Sequence, residues 1–250
     1  LALPTINVTC AFLLVQYVVF AMGGSKIMLG AIGVIAGAGH LTVAMWLAGR
    51  DPKGARGTNA FLFAGSVLLA LALPLATGSI LLSLPMLAAV AFWAAVMSAK
   101  WHSGSIRLTS YLLQIYATVA LAVVLLGWET IPSFLASAVS AVGIACLGLM
   151  QYRWCRSRKP PEESAFFSRI DKGDFSAVAI FLAALMSAFF LLRVIAHRLL
   201  AMTLAPADLN NALHCSQSVI INLSAIVLMF FAQAYRNREV RNVAILVTVI

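Results

Sequence analysis

Between Phe189 and Asn222 charged and amide-bearing residues gather inside an otherwise apolar stretch. Arg193, His197 and Arg198 precede a short polar turn, and Asp208, Asn210, Asn211, His214, Ser216, Gln217, Ser218 and Asn222 follow it. Arg193 lies about ten residues, or roughly 15 Å, from the outer end of its apolar run. A charge at that depth costs on the order of 2.5–3.5 kcal/mol to insert. Arg193 must therefore snorkel to headgroup phosphates, as Arg198 can, or face the bundle. In the second case it can bind an anionic group, with Asp208 or Glu129 as resting partner. Arg193 and His197 stand four apart and share a helix face. Asn211, Cys215, Ser218 and Asn222 make one stripe at helical spacing, with Asn210, His214, Gln217 and Ser224 beside it. Such groups bond neighbouring helices, at roughly 0.6 kcal/mol per contact, or line a small aqueous cavity. Interhelical bonding is the commoner use. The candidate intramembrane cluster is thus Arg193, His197, Asn211, His214, Gln217, Ser218 and Asn222.

Other chemistries find little support. The eight carboxylates are Asp51, Glu129, Glu162, Glu163, Asp171, Asp174, Asp208 and Glu239. All fall in expected loops or helix ends, which disfavours an intramembrane proton relay or paired-carboxylate catalysis. Walker, H-E-x-x-H and G-x-S-x-G patterns are absent from the sequence. No catalytic, cofactor-binding or metal residue and no cofactor is assigned. His197 and His214 could share a metal only with further ligands that the spacing does not supply, and His40 reads as a packing histidine. Cys10, Cys146, Cys155 and Cys215 are too scattered for a zinc site or disulfide framework and read as small buried side chains.

The elements that must position the cluster are membrane helices. Hydrophobic residues make up 62% of the 250 residues and charged ones 10%, with a mean hydropathy of +0.99. A soluble domain carries about 25% charged residues. Apolar runs of about 20 residues suffice to span a bilayer. They fall at about 6–22, 27–48, 60–76, 80–99, 108–126, 134–150, 175–202 and 209–234. The expected fold is an all-α polytopic transmembrane bundle of eight complete spans, with the start of a ninth from Val243, forming one domain over 1–250. Gly33-x-x-x-Gly37 in the second span allows close helix approach and offers a surface to other membrane subunits. Residues 153–174 form the longest loop, read as a solvated connector in preference to one carrying a short surface helix, and Pro160-Pro161 disfavours a helix at its centre. The chain begins at Leu1 and stops inside an apolar run, which reads as a piece of a longer protein.

The net charge of +9 does not point to nucleic acid, because the basic residues sit in short loops. With a cytoplasmic N-terminus, fourteen of the seventeen Lys and Arg residues fall on the cytoplasmic side. They are Arg50, Lys53, Arg56, Lys100, Arg107, Arg153, Arg156, Arg158, Lys159, Arg169, Lys172, Arg236, Arg238 and Arg241. The positive-inside rule favours that orientation.

The segment Gln217–Leu223, followed by Ala234-Tyr235-Arg236-Asn237-Arg238-Glu239-Val240-Arg241-Asn242 and an apolar run, resembles the tail region of large bacterial multi-spanning inner-membrane proteins. That resemblance implies a polytopic inner-membrane protein and no particular activity. Leu3-Pro4-Thr5 with Gln16 is similar to membrane sensor regions that precede cyclic-dinucleotide synthase domains, although the loop charges oppose their outside N-terminus. The expected role is a non-enzymatic scaffold or sensing module of an envelope system, with the lipid bilayer as its first partner. The alternative is a transporter or channel for a small anionic solute, using the outer half of spans seven and eight.

Overall fold

A computed structural model describes residues 2–50, 57–126, 133–161, 165–234 and 238–249. These residues are almost entirely helical, with no strand among them. The helices are α1 (Ala2–Ala21), α2 (Lys26–Arg50), α3 (Thr58–Thr77), α4 (Ile80–Lys100) and α5 (Gly104–Leu126). They continue with α6 (Phe134–Arg156), α7 (Ala165–Arg169), α8 (Ser176–Thr203), α9 (Pro206–Ala234) and α10 (Arg238–Val249). Seven of them (α2–α6, α8 and α9) are long and apolar enough to cross a membrane, and α1 holds a shorter apolar stretch, Thr5–Ala21. Apolar side chains cover the outside: Tyr17 is 74% exposed, Ile35 73% and Phe230 70%. Water would penalise so much apolar surface, and a bilayer removes that penalty. The chain is a multi-pass, membrane-embedded helical protein.

Small residues set the helix spacing. Ala88, Ala95, Ala117, Ala141, Ala177 and Ala184 are buried where α4, α5, α6 and α8 meet, and Ala91 and Ala94 where α4 faces α3. Backbones can approach closely there, which is how membrane helices gain dispersion contacts without a hydrophobic drive. On the other side α2 lies tightly along α3. A methyl on Gly30 would stand 2.2 Å from the Ala76 nitrogen, and one on Gly37 2.8 Å from Leu69 Cγ. Gly33 meets Phe12 of α1 and Ala72 of α3. The Gly33 and Gly37 face, expected to be open to another subunit, is therefore filled by the chain's own α1 and α3.

α3 and α4 part at Gly78, whose φ of 65° is the left-handed cap conformation that glycine adopts freely. Pro85 lies inside α4 and cannot bond the carbonyl of Leu81. Ser140 of α6 donates to that carbonyl instead, so the proline is accommodated by a neighbouring helix.

The connectors of one face are tied together by side chains. Asn59, at the start of α3, accepts from Ser103 just before α5 and donates to Ser105 in its first turn. Arg107 of α5 reaches the segment after α6, and Arg156 of α6 pairs with Glu239 of α10. Two expectations change here. Arg107 is not in a loop but in the first turn of α5, and it is fully buried. The 153–174 segment is not a solvated connector. α6 extends through Arg156, α7 forms after the Pro160-Pro161 pair, and Phe167, Asp171 and Asp174 are buried.

Candidate functional site: a cationic cleft over a buried ion pair

Arg107 lies one turn inside α5 and four residues before Tyr111, so both side chains project from the same helix face. The guanidinium donates through Nε to the Tyr111 hydroxyl at 2.9 Å. Nη2 donates to the carbonyls of Cys155 (2.7 Å) and Arg158 (3.2 Å) and to the Asp174 carboxylate, and Nη1 to the carbonyl of Lys159 (3.4 Å). The Tyr111 hydroxyl in turn donates to Asp174, 2.9 Å from either oxygen. The carbonyls at the end of a helix lack their full set of intrahelical donors, and although the Cys155 carbonyl also accepts from the Arg158 N–H (3.3 Å), a cation suits that negative pole. Arg107 satisfies them and the carboxylate together. Two charges out of water cost several kcal/mol each, and only such a saturated set of hydrogen bonds offsets it. Burial pushes the Asp174 carboxyl above the ordinary aspartate range, against the pull of Arg107 and Tyr111.

Asp174 reaches this position through the turn Asp171-Lys172-Gly173-Asp174. Its φ of 53° is left-handed, a region aspartate tolerates better than most residues, and its N–H donates to the Asp171 carbonyl at 3.1 Å. Asp171 caps the start of α8, accepting from the N–H groups of Phe175 (2.6 Å) and Ser176 (2.8 Å). Burial pushes its carboxyl up, but those bonds and nearby Arg156 outweigh it, so Asp171 titrates below the ordinary range. A carboxylate with a depressed value stabilises the fold above its unfolded value, 3.8, and loses that contribution as pH falls through the lower folded value. Asp171→Ala is expected to cost about 0.5–2 kcal/mol at neutral pH. Thermal unfolding of the pair across pH should show the difference constant above pH ~5 and shrinking in acid.

Above this turn a cleft of about 540 Å³ opens on the basic face. Cys155, Phe167 and Asp174 lie among its walls, with Arg156, Arg158, Lys159 and Lys172. Arg156 is already engaged, donating to Glu239 and to the Gly173 carbonyl (2.8 Å), and Tyr152 also donates to Glu239 (2.8 Å). Arg158 stacks over Trp154, 4.7 Å from its centroid. Beneath the cleft the polar face of α5 continues inward. Gln151 bonds Ser110 (3.2 Å), Gln114 bonds the Ile144 carbonyl (3.0 Å), and Thr118 approaches Ser187 of α8 (3.3 Å). All of these side chains are buried, and the carbonyl oxygens of Gln114 and Gln151 have no partner among the described residues.

The residues singled out from sequence are not brought together. Arg193 faces the bundle, where its Nη1 donates to the Leu125 carbonyl at the end of α5 (2.8 Å). Among the described residues it makes no ion pair with Asp208, and Glu129 lies outside them. His197 is half-buried on the same helix. On α9, Asn211, His214, Ser218 and Asn222 are exposed and Gln217 is half-buried. The side of α9 toward its neighbours carries Leu213, Ala225 and Ala232. Asn222 donates to the Ser218 carbonyl (2.9 Å) and Ser218 to that of His214 (3.4 Å). The stripe thus bonds its own helix and points outward, instead of joining α9 to α8. Of the four cysteines expected to be buried, three are not. Cys10, Cys146 and Cys215 are exposed, while Cys155, from the basic segment, is buried.

The sequence did hold a signal for the missed site. Arg107, Tyr111, Gln114 and Thr118 follow the same 4-3-4 spacing as the α9 stripe. No group of three or more His, Cys, Asp and Glu suited to a metal occurs among the described residues. Fold and site together define a polytopic helical membrane protein with a cationic cleft at one end of its bundle. No family model, curated protein or solved structure matches the chain.

Proposed function

We propose that the chain is a non-catalytic scaffold or sensing module of a bacterial inner-membrane envelope system. It crosses the membrane eight times and begins a ninth crossing at α10, with its N-terminus and basic face in the cytoplasm. The observation that carries the sensing role is the link between cleft and helix. Arg156 lines the cleft and holds Glu239 of α10, so a change in the cleft acts directly on α10. The charge asymmetry of the connectors supports the orientation. α10 packs beside α9 and buries Val243 with Phe181 and Tyr152, which supports a returning helix. With the Gly33 and Gly37 face filled, the outward polar stripe of α9 is the better surface for another membrane subunit.

The alternative, passage of a small anion, finds less support in α8 and α9, because Arg193 is held by a carbonyl and the α9 stripe faces outward. Two measurements test the reading. A reporter fused after Arg158 should be accessible only from the cytoplasm, and external accessibility would reverse the orientation. Purified protein in proteoliposomes should pass neither chloride nor phosphate. Flux abolished by Arg193→Ala would replace the sensing role with transport.

A further inference from the structure

We infer that the cleft between the end of α6, α7 and the Asp171–Asp174 turn is a binding site for a phosphate-bearing anion. Arg158, Lys159 and Lys172 line it and make no ion pair among the described residues. The features that would repel an anion are already occupied. The Asp174 carboxylate is paired with Arg107 and accepts a hydrogen bond from Tyr111. The carbonyls of Cys155, Arg158 and Lys159, which would oppose a negative charge at this helix end, are bonded to the same guanidinium. Among the described residues, what remains facing the cleft is cationic, with Ser168 as a hydroxyl donor, while the Ser157 hydroxyl is engaged with the Trp154 carbonyl. Lysine and arginine with hydroxyl donors are the usual recognition set for phosphate oxygens. A volume of about 540 Å³ is within the range of small-ligand pockets and exceeds what one inorganic ion needs.

The surroundings fit a phosphate held at a membrane boundary. Ile170 is 77% and Phe175 70% exposed at either end of the turn, and Trp154 lies under Arg158. Apolar and indole groups beside cations are the pattern of a headgroup-level surface. A lipid headgroup and a soluble phosphate compound share the recognised chemistry, and the test separates them.

This site deepens the sensing reading and rests on it. The 250-residue chain would be placed in nanodiscs of neutral phosphatidylcholine and titrated with pyrophosphate, following thermal stabilisation. In parallel, nanodiscs containing phosphatidylglycerol would be examined by native mass spectrometry for retained anionic lipid. The comparison variant is Lys159→Gln/Lys172→Gln, which changes two exposed side chains and leaves the buried pair intact. Saturable pyrophosphate stabilisation, weakened about tenfold or more in the variant, assigns a soluble phosphate ligand. Retained phosphatidylglycerol that the variant loses assigns a headgroup. Equal behaviour of the two proteins in both arms, or binding in neither, overturns the site. That failure leaves the topology and flux results standing, so a scaffold without a ligand would remain distinguishable.

Discussion

Asp174→Ala is expected to lower stability by about 3–5 kcal/mol, the usual consequence of leaving a buried charge without its partner. Arg107 would keep its carbonyl acceptors but lose its only carboxylate among the described residues, in a position with no exposure to water. Tyr111→Phe should cost less, about 1–3 kcal/mol, because it removes one hydroxyl that accepts from Arg107 and donates to Asp174. The decisive comparison is a cycle. If the pair is coupled, Arg107→Met with Asp174→Asn should be less damaging than the sum of the singles, by about 0.5–3 kcal/mol. Thermal unfolding of detergent-purified protein, read by tryptophan fluorescence, measures all four. Additive losses would mean that the two charges are stabilised independently.

The second large effect is expected at Gly30. An added Cβ would lie 2.2 Å from the Ala76 nitrogen and 2.6 Å from the Leu75 carbonyl carbon, and both are backbone atoms of α3. Neither can rotate away, so the helices must separate. Overpacking typically costs about 1–3 kcal/mol, and Gly30→Leu should reach or exceed the upper end. Gly39 stands on the same helix with open space around its Cα. Gly39→Ala should therefore be neutral or stabilising, by up to about 1 kcal/mol through helix propensity. Equal losses at the two positions would show that α2 and α3 do not pack as described. The same unfolding assay on both variants decides it.

The helical, membrane-embedded character was legible because it depends on summed hydropathy, which no single contact can override. The site was less legible, for a physical reason. Reading Arg107 as a loop residue followed from its charge, since a guanidinium at the edge of an apolar run is ordinarily solvated. Its burial depends on carbonyls 48 to 52 residues away and on Asp174, 67 residues away, and local pattern does not carry such pairings. The α9 stripe shows the reverse error. Its spacing is helical and real, but periodicity defines a face without saying what that face meets. On α5 the same 4-3-4 spacing turns inward, and on α9 it turns outward. Arg193 was resolvable only by geometry, because snorkelling and an inward bond to Leu125 use the same residue types.

The ion pair also bears on how the chain is made. Arg107 enters the bilayer boundary long before Asp174, 67 residues later, has been synthesised. Until then its charge has only headgroups and water to meet, which holds the start of α5 on the side where it was delivered. The pair can close only if α6 has crossed and returned its connector to that same side. A helix inserted the wrong way round would place Arg107 at the opposite end of the bundle from Asp174. In the finished fold the pair therefore ties the start of α5 and the connector after α6 to one end of the bundle, a constraint on the direction in which both helices run.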